Sequence, residues 1–172
     1  MAPSKLEDII VALSIKVLEQ FHYNYPACEI FAIGFDVNPD YGEILIHLNN
    51  QPLTAERGTA DYFNYWDVSM WELNAVNMYY DSWGDGWDYH QSIISEHVLD
   101  ELGEFDDELG PMTMSFIETV YKALLLLLNS DSVYGLNKST GVEGIIFLHD
   151  DSAIGALSRL ENYKTLHKLT CL

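Results

Sequence analysis

The sequence predicts an α+β fold in which a small antiparallel or mixed sheet packs against several helices. Three observations lead there. Apolar residues recur at helical spacing near the N-terminus, a strand–turn–strand pattern fills about 28–48, and a later strand-like run covers about 142–148 between helical segments. At 172 residues the chain fits one α+β domain over 1–172, and 48% apolar residues supply its core.

Ser4, Lys5, Leu6 and Glu7 match a capping box, in which Ser4 accepts from a first-turn amide and Glu7 reaches back. Leu6, Ile9, Ile10, Leu13, Val17 and Phe21 continue the helix to about His22. Residues 28–35 are apolar and rich in strand formers. Pro39 and Gly42 mark a turn over 36–42, after which Ile44, Ile46 and Leu48 alternate along the returning strand. Thr54 is placed to cap a short helix to about Phe63. Residues 65–80 are aromatic-rich, with a strand expected in 71–80. Two glycines in eight residues make 81–88 a loop. His90, Ile93, Ile94, His97, Val98, Glu101 and Leu102 suit an amphipathic helix, and 103–111 reads as an acidic linker. Thr113 opens a helix to Leu128 that is apolar nearly all round and hence central. A polar stretch over 129–141 precedes the last strand, and Ser152 caps a helix carrying Ile154, Leu157 and Leu160.

Charge is the most informative part of the composition. Twenty-seven acids against eight bases give −19, and 58–121 holds fourteen of those acids without one Lys or Arg. All four tryptophans lie in the same stretch. Such a field repels nucleic acid and anionic lipid and attracts cations or basic proteins. Acidity alone serves solubility; its concentration beside tryptophans is what points to a site. The N-terminus lacks a secretory leader pattern, and the longest apolar run, 123–128, is too short for a membrane span. Cys28 and Cys171 form no disulfide framework, so a soluble protein of a reducing cytoplasm is expected.

Catalysis finds little support. There is no nucleophile elbow, no Gly-rich phosphate loop and no His-Glu-x-x-His. Cys28 sits in a strand-like run and reads as a core thiol. Asp81, Asp85 and Asp88 lack the spacing of a calcium loop, so a solvated turn is the better reading. His90 and His97 are two helical turns apart, roughly 10 Å, too far to share a metal unaided. Asp150 and Asp151 fit the start of the Ser152 helix better than a metal site. No metal, cofactor or enzymatic activity is expected, and all six histidines read as structural or exposed. Trp66 and Trp71 read as core, whereas Trp83 and Trp87 stand in an acidic loop where they can anchor Arg or Lys.

The order of elements resembles the uncharacterised bacterial domain-of-unknown-function family 4303. The resemblance rests on Ile30-Phe31-Ala32-Ile33-Gly34-Phe35, the Thr54-Ala55-Glu56 helix start, and Ser69-x-Trp71-Glu72 within 66–72. The helix over 116–128 and the strand end Leu148-His149-Asp150-Asp151 extend it. Similarity to such families implies a cytoplasmic immunity protein that binds and neutralises a secreted bacterial toxin. Combined with the charge, this gives a one-to-one inhibitor of a basic toxin such as a nuclease. Its partner-binding face would comprise Asp81, Trp83, Asp85, Trp87, Asp88, Asp100, Glu101, Glu104, Asp106, Asp107 and Glu108. The alternatives are a metal-assisted hydrolase using Asp81, Asp85, Asp88 or Asp150 and Asp151, and a general acidic protein-interaction module.

Overall fold

A computed structural model describes residues 6–39, 42–68, 71, 110–136, 141–148 and 152–166. Helix α1 spans Leu6–Asn24, β1 Ala32–Asn38, β2 Glu43–Asn49 and α2 Ala60–Tyr65. Then follow α3 at Pro111–Leu128, α4 at Asp131–Tyr134, β3 at Glu143–Leu148 and α5 at Ala153–Leu166. The three strands form one mixed sheet in the order β2-β1-β3, β1 antiparallel to β2 and parallel to β3. This is an α+β fold.

Alternation along the strands sorts their side chains onto two faces. Ile33, Phe35 and Val37 of β1 share the first face with Ile44, Ile46 and Leu48 of β2 and Ile146 of β3. Helices α1 and α3 cover it with Leu6, Ile10, Leu13, Val17, Leu18 and Phe21, and with Phe116, Val120, Leu124 and Leu127. The close approach of α3 is permitted by Gly144, because a Cβ there would stand 2.7 Å from Leu128 Cδ1 and 3.1 Å from Leu124 Cδ1. The second face carries Ala32, Ile145 and Phe147 under Trp66, Val68, Trp71 and the α5 residues Ala153 and Ala156. The far half of α5 joins the first cluster through Leu160 and Tyr163, whose ring stacks on Tyr121 of α3 at 4.6 Å.

Several boundaries differ from the sequence reading for identifiable reasons. Strand β1 starts later than 28 and runs on to Asn38, because the ladder with β2 continues through Asn38 opposite Glu43. The reversal therefore shrinks to the few residues between Asn38 and Glu43. Helix α2 starts not after Thr54 but after Thr59, whose hydroxyl accepts from Tyr62 N at 3.3 Å and donates to Glu56 O at 2.7 Å. Gly58 at φ 87° cannot belong to a right-handed helix, so no helix capped at Thr54 can run through it. Helix α3 opens on Pro111 at N1, and Thr113 is fully buried in its first turn. The short α4 occupies part of the stretch read only as polar, and its Val133 joins the core. Ser152 does cap α5, its hydroxyl accepting from Gly155 N at 3.2 Å.

Among the described residues, no helix is long and apolar enough to cross a membrane. The expected capping box at Ser4, the strand in 71–80 beyond Trp71, the 81–88 loop and the helix around His90 lie outside the described residues.

Candidate functional site

All eleven residues expected to bind the partner lie outside the described residues: Asp81, Trp83, Asp85, Trp87, Asp88, Asp100, Glu101, Glu104, Asp106, Asp107 and Glu108. So do Asp150 and Asp151, which with Asp81, Asp85 and Asp88 make up the metal-assisted alternative. Among the described residues, no group of three or more His, Cys, Asp or Glu is arranged to hold a metal ion. What the structure does describe is the beginning of the acidic, tryptophan-rich stretch and the sheet face beneath it.

That beginning is held down by two tryptophans. Trp66 and Trp71 are 2% and 4% exposed, the core positions expected of them. Trp71 lies over Gly34, where an added Cβ would stand 3.0 Å from its ring and 2.6 Å from Val68 Cγ1. Its indole N–H donates to Tyr65 O at 2.7 Å, tying the end of α2 to the sheet. The side-chain amide of Asn49 donates to the same carbonyl at 3.5 Å, while its Oδ1 accepts from Gln51 N at 3.0 Å. Rings extend the seat outward. Tyr65 and Tyr62 meet Trp66 edge-to-face at 5.0 and 6.4 Å, and Tyr62 meets Phe63 at 5.7 Å. Such edge-on geometry aligns ring quadrupoles favourably.

Helix α2 buries none of its residues fully, so Tyr62, Phe63 and Tyr65 are packed on one side and open on the other. Asp61 is exposed among them. Burial pushes the Tyr65 phenol well above its ordinary range, and the nearby Glu143 carboxylate pushes it further, since a phenolate would meet like charge there. The phenol therefore stays neutral, with Glu143 the carboxylate that acts on it. Arg57, one turn ahead of the helix, has its guanidinium 3.5 Å from Glu161.

The second face also holds a polar strip that the sequence reading missed. His47 is opposite Gly34 in the ladder and 5% exposed, and its Nε2 stands 3.9 Å from an Asp36 carboxylate oxygen. That is too long for a hydrogen bond. Burial lowers the His47 pKa to about 4, so the imidazole is neutral near pH 7 and makes no full ion pair with Asp36. The signal was present in the alternation of β2. With Ile44, Ile46 and Leu48 on one face, Leu45, His47 and Asn49 must share the other. Asp36 was hidden because it was assigned to the turn.

Cys28 is half-buried against the first-face core, and burial raises its thiol pKa despite a hydrogen bond with Asn50. A thiol held protonated is a weak nucleophile, in keeping with a packing role. On α3, Lys122 Nζ lies 3.0 Å from Glu118, and this hydrogen bond raises the lysine pKa.

Comparison with protein-family models, curated proteins and solved structures found no match. Function is therefore argued from the residues themselves.

Proposed function

We propose that the protein is an immunity protein that binds and neutralises a secreted bacterial toxin with a basic surface, a nuclease being the kind of toxin that fits best. One observation carries the reading: the stretch 58–121 holds fourteen acids, no Lys or Arg, and every tryptophan in the chain. A toxin that cleaves nucleic acid needs a basic surface to hold phosphates, and an acidic face can occupy or shadow that surface. Opposite charge accelerates capture, and aromatic anchors slow release. Asp81, Trp83, Asp85, Trp87 and Asp88, with Asp100, Glu101, Glu104, Asp106, Asp107 and Glu108, are assigned to the contact. Binding needs no metal and no cofactor in this reading.

The test begins with the gene beside this one. If that gene encodes a large secreted protein, its C-terminal domain is expressed with and without this chain; a neighbour of any other kind counts against the reading. Co-expression restores growth, and the purified pair associates at a rate that falls several-fold from low to high salt, because exposed charges are screened within about 8 Å at physiological ionic strength. Continued toxicity with no measurable association would sink the proposal. Salt-indifferent association would remove the charge argument.

A further inference from the structure

Helix α3 is central to the core, yet one row of its residues faces outward. Met114 and Leu126 are each 51% exposed. Between them, at four-residue steps, stand Glu118 and Lys122, whose side chains are each 46% exposed and meet at 3.0 Å. Positions four apart line up on one side of a helix, so these four residues form a ridge about 18 Å long. Ridges of this kind are the ones through which helices most often pack on one another. The other side of α3 faces the sheet, with Phe116, Val120, Leu124 and Leu127 in the first-face core.

The row also differs from the rest of the chain in charge. The protein carries −19, but Pro111–Leu128 holds one acid and one base, Glu118 and Lys122, and is neutral. A basic partner is drawn to the acidic stretch, whereas the order apolar, acid, base, apolar complements itself when turned end for end. If two copies lay their rows antiparallel about a two-fold axis midway between Glu118 and Lys122, Met114 falls opposite Leu126 of the second copy. Glu118 then falls opposite Lys122 of that copy. Both kinds of pair share the one axis, as a two-fold contact requires. We propose that this row of α3 is the contact through which two copies of the chain form an antiparallel dimer. The apolar pairs supply the attraction by leaving water, and the charge pairs, weak at a surface, fix direction and register. None of the eleven residues assigned to the toxin lies on the row, so each copy keeps its own toxin contact.

The test is sedimentation equilibrium of the full chain at about 0.15 M salt, which screens the repulsion between two such acidic chains beyond about 8 Å. Wild type shifts from monomer to dimer across the micromolar range. Leu126→Gln weakens the dimer by at least about tenfold, as does Glu118→Lys, which sets lysines against lysines. Adding Lys122→Glu to Glu118→Lys restores the complementary pattern in reverse, and the dimer returns. These positions are exposed, so melting temperatures stay near that of wild type; if Leu126→Gln melts early, Met114→Gln carries the test. A wild type that stays monomeric up to about 1 mM overturns the proposal. So does a dimer that the folded variants leave intact, or that the double swap fails to restore. If wild type is monomeric and Leu126→Gln instead lowers affinity for the toxin domain, the row belongs to the toxin contact and the dimer falls.

Discussion

The two faces of the sheet are built on opposite principles. The first is aliphatic and aromatic throughout, with Ile33, Phe35, Val37, Ile44, Ile46 and Leu48 under two long helices. The second mixes Ala32, Ile145 and Phe147 with Gly34, Asp36, His47 and Asn49, under tryptophans and a six-residue helix. A face made only of hydrocarbon packs for stability, since its free energy follows the apolar area removed from water. A face that buries an imidazole and an amide gains less from burial and becomes dependent on hydrogen bonds and on pH. The lesson is that one sheet can separate its duties. Stability resides under α1 and α3, and the acidic, aromatic stretch starts from the face that tolerates polar groups.

The largest effect should come from breaking the aliphatic face. Phe35→Ala removes a fully buried ring from between the helices and the sheet. It is expected to cost about 3–5 kcal/mol in urea unfolding, with the stability loss the same at pH 7 and pH 5. A loss below about 1 kcal/mol would mean that this face collapses around the cavity and is not the stabilising one.

The second face should instead reveal itself through pH. The folded His47 pKa of about 4 lies below the unfolded value of 6.5, so the unfolded chain binds a proton that the folded chain refuses. Stability is then full above about pH 6.5, falls as pH drops toward 4, and levels off below that. The contribution reaches up to about 3 kcal/mol. Subtracting the pH–stability curve of His47→Gln from that of wild type isolates it. Parallel curves between pH 6.5 and 4 would show that His47 ionises equally in both states.

The smallest effect sharpens how the second face is assembled. Thr59→Ala removes the hydroxyl that caps α2 and should cost about 1 kcal/mol, whereas Thr54→Ala should cost almost nothing. Comparable losses at the two positions would move the helix start back toward Thr54.

Much of this was readable from residues in order. The stripe from Leu6 to Phe21 buries as a helix must, the alternation of Ile44, Ile46 and Leu48 marks one sheet face, and Ser152 caps the helix it precedes. Trp66 and Trp71 are core, as large aromatics usually are. The site was legible as composition only. A base-free run of carboxylates and tryptophans sets the sign of the local field, yet the chain order does not say which ring meets which carboxylate. His47 was read with the other histidines as structural or exposed and is buried, but its approach to Asp36 was not legible, because one histidine among hydrophobic residues carries no chemistry until a partner strand brings Asp36 beside it.

The sequence by itself determined the α+β class, the helical stripes, the strand pattern and the negative field, because these depend on side chains a few residues apart. The tertiary structure decided the mixed β2-β1-β3 order, the seating of Trp71 on Gly34, the approach of His47 to Asp36 and of Glu143 to Tyr65. Each of these joins residues from different elements, and the last brings Glu143 to Tyr65 from far along the chain. Such contacts are chosen when separate apolar faces close on one another, and no local pattern records which polar groups that closure will bring together.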